Sequence, residues 1–264
     1  MRLVVTADDL GLSRAVTKGV LEAHRRGIVR STSLLVTFPW SEEGAAQALA
    51  ERDLEVGVHL DLVGGTPVSD PARVRSLCDA EGRFHPLGEL TKRLFTARVS
   101  ASEVSAELRA QIERARAWGV PALAWDSHRH VHLMPPVARV VGALARELGA
   151  GWIRRGRAPH LTLSPKAAAL NISSAVSELA LRRTRGNTWY LDLTSAHPRL
   201  DAASVALLAM HPGVGEISGH PGYVDDDLRR SDSLVEARGY DLELLTDPLL
   251  TEALGRDTVV WRVS

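Results

Sequence analysis

Short runs rich in Val, Leu, Ile and Thr alternate with longer stretches of helical periodicity, and this alternation constrains the fold more than any other feature of the chain. Residues 3–7 form one such run, ending at Asp8-Asp9; Ser13 then stands as the N-cap of a helix reaching about Arg26. Residues 31–37 read as a second strand closed by Pro39, residues 41–51 as an alanine-rich helix with an acidic first turn, and residues 56–62 as a third strand. A strand, a crossover helix and another strand in the same direction is the arithmetic of a parallel sheet. The sequence therefore predicts an α/β fold, barrel-like, with mostly parallel strands in a single domain over residues 1–264. In such folds ligands gather at the carboxyl ends of the strands, so reactive residues should fall just after the apolar runs.

Further along, residues 64–90 mix Gly, Pro and charge without periodicity and read as an excursion over the strand ends. Residues 102–118 form an amphipathic helix, with Val104, Leu108, Ile112 and Ala115 at helical spacing. Residues 123–125 lead into a polar string, and Pro135-Pro136 open a helix to about Leu148. Residues 152–154 read as a strand and 164–183 as mostly helical. Helices are expected over 201–210 and 241–254, a strand over 215–219 and a final strand over 258–263.

The 32 basic and 32 acidic side chains balance, which argues against a nucleic-acid partner. No apolar run approaches the roughly 18 residues needed to span a bilayer. Cys78 is the only cysteine and has no intramolecular partner; with no signal-peptide core after Met1-Arg2, a cytoplasmic location is expected. The apolar helices and neutral charge leave room for a homodimer.

Reactive residues fall where the fold predicts: Asp8-Asp9, His59, residues 126–132 and His220 each sit in or just after an apolar run. Adjacent carboxylates on an extended strand point different ways, so one can bind a metal while the other faces a substrate. The same pair also suits capping of the next helix. In Gly57-Val58-His59-Leu60, alternation sends His59 away from Val58 and Leu60; a hydrogen-bonded core histidine would sit the same way.

The string Asp126-Ser127-His128-Arg129-His130-Val131-His132 is the sharpest signal. Extended, it lines Asp126 and the three histidines along one face; helical, it sets His128 and His132 one turn apart. Either His128 or His132 is then available as a ligand. Hydrolytic metal sites keep about three protein ligands and a position open to water. Asp9, His59 and His128 make such a set for one divalent ion, zinc or magnesium. His220, before Pro221-Gly222, stands at a rigid strand exit and is a candidate proton donor.

With Thr6-Ala7-Asp8-Asp9-Leu10-Gly11-Leu12-Ser13, Gly57-Val58-His59-Leu60, the Asp126–His132 string and His220-Pro221-Gly222 in this order, the chain resembles the YdjC-like carbohydrate deacetylase family over most of its length. Leu10 departs from the phenylalanine usual there. The resemblance implies a barrel-like fold, a divalent metal on Asp9, His59 and His128, and removal of an N-acetyl group from an amino sugar. Asp8 is then the expected base and His220 the acid, with Asp126 behind a ligand imidazole and Arg129, His130 and His132 behind the ligands or at the substrate. A hydrolase of another ester or amide on the same barrel, or a carbohydrate-binding protein without turnover, are the alternatives.

Overall fold

The computed structural model describes residues 2–157, 165–196, 200–254 and 262. Among them, parallel strands form the centre: β1 (Arg2–Leu10), β2 (Ser31–Leu34), β3 (Glu55–Leu60), β4 (Ala124–Ser127), β5 (Trp152–Ile153), β6 (Trp189–Asp192) and β7 (Val214–Gly219). Their order across the sheet is β5-β4-β3-β2-β1-β7-β6, and every pairing is parallel. The sheet curls until its edges meet. Trp152 bridges to Arg185, the Arg155 N–H donates to Asn187 Oδ1 at 2.7 Å and the Tyr190 N–H to the Arg157 carbonyl at 2.6 Å. The fold is thus the α/β barrel-like one that the alternation predicts.

Helices cover the outside: α1 (Arg14–Arg26), α2 (Ser41–Leu49), α3 (Leu87–Phe95), α4 (Ala101–Ala117), α5 (Pro135–Leu148), α6 (Pro165–Leu181), α7 (Leu193–Ala196), α8 (Ala202–Ala209), α9 (Asp226–Ser231), α10 (Ala237–Leu245) and α11 (Pro248–Leu254). Local chemistry sets their ends. Ser13 caps α1 by accepting from the Val16 N–H, and Gly149 ends α5 at φ 75°, a left-handed conformation that costs glycine little.

Strand alternation sorts the side chains into two environments. Leu3, Val5, Ala7, Val58, Leu60, Trp125, Ile153 and Ile217 face outward and join the helices in the main apolar core. Inside the barrel, among the described residues, a thin apolar layer of Val4, Ala124, Trp152 and Val214 closes the amino-terminal end. Above it the interior is polar, because Thr6, Asp8, Ser33, His59, Asp126 and Glu216 alternate with those outward residues.

Four expectations need correction. The helix expected over 241–254 is two, since Pro248 lacks an N–H and disfavours helix at Asp247. Strand β6 lies in a stretch without a clear strand signal. The excursion over 64–90 holds two short 3-10 turns and the start of α3. The string after Ser127 is neither extended nor helical: residues His128–Leu133 form two 3-10 turns kinked at Arg129 and His130, with φ 54° and 56°. The final strand expected over 258–263 lies outside the described residues except for Arg262, which is in a turn.

Candidate active site and metal centre

Asp8 and Asp9 end β1, and their side chains diverge as the sequence implies. Asp8 follows the alternation into the barrel. Asp9 takes φ 66°, unusual for a residue with a side chain, at the point where the register between β1 and β2 shifts. That turn of the backbone aims a second carboxylate at the same mouth.

Asp9 Oδ1 meets two imidazoles, His128 Nδ1 at 2.9 Å and His59 Nε2 at 3.3 Å. The rings of His59 and His128 stand edge to face with centroids 5.9 Å apart. His59 and Asp126 are register partners on β3 and β4, which brings His59 Nδ1 to 2.7 Å from Asp126 Oδ1. Asp126 accepts the Nδ1 proton and so orients the ring with Nε2 toward Asp9, the carboxylate-to-imidazole support typical of metal-ligating histidines.

The electrostatics follow from burial and pairing. Burial opposes charge on Asp9, but His128 and Arg238 outweigh it and hold the carboxyl well below its usual range. Arg238 donates to Asp9 Oδ2 at 2.7 Å and to Asp232 Oδ2 at 2.8 Å. Burial would likewise lower His59, yet the charge and hydrogen bond of Asp126, with help from Asp9 and Asp8, push it up to about 10.

Three buried donors, one carboxylate and two imidazoles, thus converge with their ligating atoms within 4.8 Å of one another, and Asp8, His59 and Asp126 form a second such group. The donor set fits a divalent cation, and the preference of His59 for a proton marks the spot where positive charge is wanted.

Arg154 is a residue that sequence reasoning missed. It is fully buried just beyond β5, and its guanidinium grips Asp8 with two bonds of 2.6 and 2.8 Å. The same group reaches Asp126 at 2.8 Å and Glu216 at 2.8 Å. Arg262, from the far end of the chain, bonds Ser33 Oγ and Asp126 Oδ2, both at 3.0 Å. The signal was available in the alternation of Trp152-Ile153-Arg154, which turns Arg154 inward once Ile153 faces out.

The remaining candidates divide. His220, after β7, donates from Nδ1 to Thr194 Oγ1 at 2.8 Å, and Thr194 donates in turn to Asp241 at 2.5 Å. Burial alone would lower the His220 pKa; the hydrogen-bonded Asp241 and the charges of Asp9, Asp192 and Asp8 raise it. His132 turns away from the cluster. Its Nε2–H donates to the Arg154 carbonyl at 3.1 Å and its Nδ1 accepts from Ser127 Oγ at 2.5 Å, so both nitrogens are engaged by protein groups. His130 packs its ring edge against Tyr190 at 5.4 Å, and Arg129 pairs with Asp232.

Parallel barrel strands that present a buried Asp–His–His cluster and a neighbouring carboxylate at their carboxyl ends define the class: an α/β-barrel enzyme of the hydrolase type. More particularly, the chain belongs to the YdjC-like protein family, whose model matches residues 2–256. It is similar to a carbohydrate deacetylase of Brevibacillus brevis, 34% identical over 93% of this chain and 91% of that one. A carbohydrate deacetylase of Halalkalibacterium halodurans is 32% identical over 96% and 98%. Among solved structures, a protein of Enterococcus faecalis assigned to cellobiose-phosphate cleavage superposes with a TM-score of 0.81, at 26% identity over 98% of this chain and 95% of that one.

Proposed function

We propose that this protein is a divalent-metal-dependent carbohydrate deacetylase that hydrolyses the N-acetyl group of an amino sugar or oligosaccharide. The observation that carries the reading is the adjacency of two differently used carboxylates: Asp9 within the Asp–His–His donor set, Asp8 beside it on Arg154. The names of the curated relatives support carbohydrate as substrate class and deacetylation as reaction.

Asp9, His59 and His128 would hold the cation, which when bound supplies Lewis-acid polarisation of a carbonyl and acidification of water. Asp8 accepts the proton of the attacking water. Its two bonds to Arg154 fix its direction and leave each oxygen a further lone pair. His220 gives a proton to the departing amine nitrogen, so that water and amide become acetate and amine. The Thr194–Asp241 relay keeps its Nδ1 engaged and leaves Nε2 as the donating atom. The raised pKa of His220 favours the protonated form this step needs.

The test is metal content together with acetate release from N-acetylglucosamine oligomers. Wild type is expected to hold a divalent ion and release acetate. His128→Ala is expected to lose the ion, and Asp8→Asn to keep it while acetate release falls by about 10²–10⁴-fold. Phosphate release from sugar phosphate esters without acetate release would assign the site to the other hydrolase reading. A wild type with neither metal nor turnover would make it a binding protein.

A further inference from the structure

Helix α6 (Pro165–Leu181) lies on the outside of the barrel against α5. Its inner side is fastened by Ser173 and Ser177, whose hydroxyls donate to the Leu133 carbonyl at 2.5 and 2.8 Å. Its outer side is apolar. Ala168, Ala169, Ile172, Ala175, Val176 and Leu179 are exposed at spacings that put them on one helix face. The three large ones leave 67%, 60% and 71% of their surface open, which is not how isolated surface hydrophobics are distributed.

Where α6 ends, Arg139 and Arg146 of α5 meet Arg182 and Arg183 around a groove of about 520 Å³ that also contains Leu179. All four arginines are exposed. Among the described residues no carboxylate lies within ion-pair distance of any of them. The nearby acids are engaged elsewhere, Glu147 with Arg109 at 2.7 Å and Glu178 with Arg155 at 3.3 Å. In a chain whose acidic and basic residues are equal in number, such a group is a local segregation of charge and not a consequence of composition.

An apolar helix face bordered by uncompensated arginines fits a partner that offers both a hydrocarbon layer and anionic groups. A second copy packed α6 to α6 meets only the first requirement: it brings the same arginines, and among the described residues the exposed apolar face of α6 holds no carboxylate to receive them. No helix among the described residues is long and apolar enough to cross a membrane, so any contact is with the bilayer interface. We propose that α6 and the arginine groove form a docking surface for an anionic phospholipid bilayer. The surface stands independently of the chemistry at Asp9.

Flotation of the full chain with phosphatidylcholine vesicles, with and without roughly one third phosphatidylglycerol, tests this. Binding is expected only with the anionic lipid and should weaken as salt is raised. Replacing the four arginines by glutamine should weaken partitioning about fivefold per arginine. The pair Ile172→Ser and Leu179→Ser should weaken it at constant charge, while both variants keep the wild-type melting temperature and metal content. Equal partitioning onto neutral and anionic vesicles, or undiminished binding by the arginine variant, would overturn the proposal. So would sedimentation showing a dimer that the serine variant dissociates, because a second copy would then cover this face.

Discussion

Arg154 holds the charge balance of the barrel interior, with bonds to Asp8, Asp126 and Glu216 from one planar group. Removing it leaves three buried carboxylates short of a partner, so Arg154→Met should cost about 3–5 kcal/mol, read as a lower urea midpoint at unchanged slope. Arg154→Lys should recover little, since a point charge cannot replace a fork that holds carboxylates on several sides. Asp8 and Asp9 are legible in sequence because they are adjacent; Arg154 is 146 residues from Asp8, and only the curl of the sheet brings them together. His132 is a conspicuous histidine held by Ser127 and by the carbonyl of Arg154. Burial, partly offset by Asp126, lowers its pKa to about 3, below the ordinary value near 6.5. The unfolded chain therefore takes the proton first. The stability from neutral His132 is complete above about pH 6.5 and is lost at about 1.4 kcal/mol per pH unit on the way down toward about 3. Denaturation midpoints at about pH 7 and about pH 4 should converge for wild type and His132→Gln; parallel curves would remove this assignment.

At the level of elements, the strands that carry site residues were legible because each follows the period of 2, with one face for the helices and one for the interior. Legibility failed at β6, which lies in a stretch without a strand signal, whereas two-residue β5 falls within the strand expected over 152–154. It failed too in the residues after Ser127, where positive φ at Arg129 and His130 breaks any face read from spacing. Hence His59 and Asp126, inside strands, were placed on the right face by alternation, whereas the three histidines do not share one. Gly57 shows what this sorting demands within β3. A Cβ there would stand 2.3 Å from an Arg262 guanidinium nitrogen and 2.6 Å from the Ala124 carbonyl oxygen of the next strand. The backbone oxygen cannot swing aside, so Gly57→Ala should destabilise by about 1–3 kcal/mol in urea denaturation. A neutral result would mean that the strands separate more easily than their register implies.

At the scale of the whole molecule, among the described residues, carboxylates outnumber guanidiniums in the ion-paired set that lines the barrel. Asp8, Asp9, Glu55, Asp126, Glu216 and Asp232 are linked to Arg129, Arg154, Arg238 and Arg262. The interior is therefore built short of positive charge, and the deficit falls on the Asp9–His59–His128 cluster, where His59 is pushed up to about 10. At neutral pH without a cation His59 carries a proton; a ligating imidazole must give it up. Loading with zinc near neutral pH should thus release about one proton per ion from His59, seen as a dependence of the calorimetric heat on the ionisation enthalpy of the buffer. Apparent affinity should rise about tenfold per pH unit while that proton must be displaced. His59→Asn should abolish both this release and most of the affinity. Tight zinc binding with no proton released would mean that His59 is already neutral, and the charge deficit would then have to be met by a proton shared among the carboxylates.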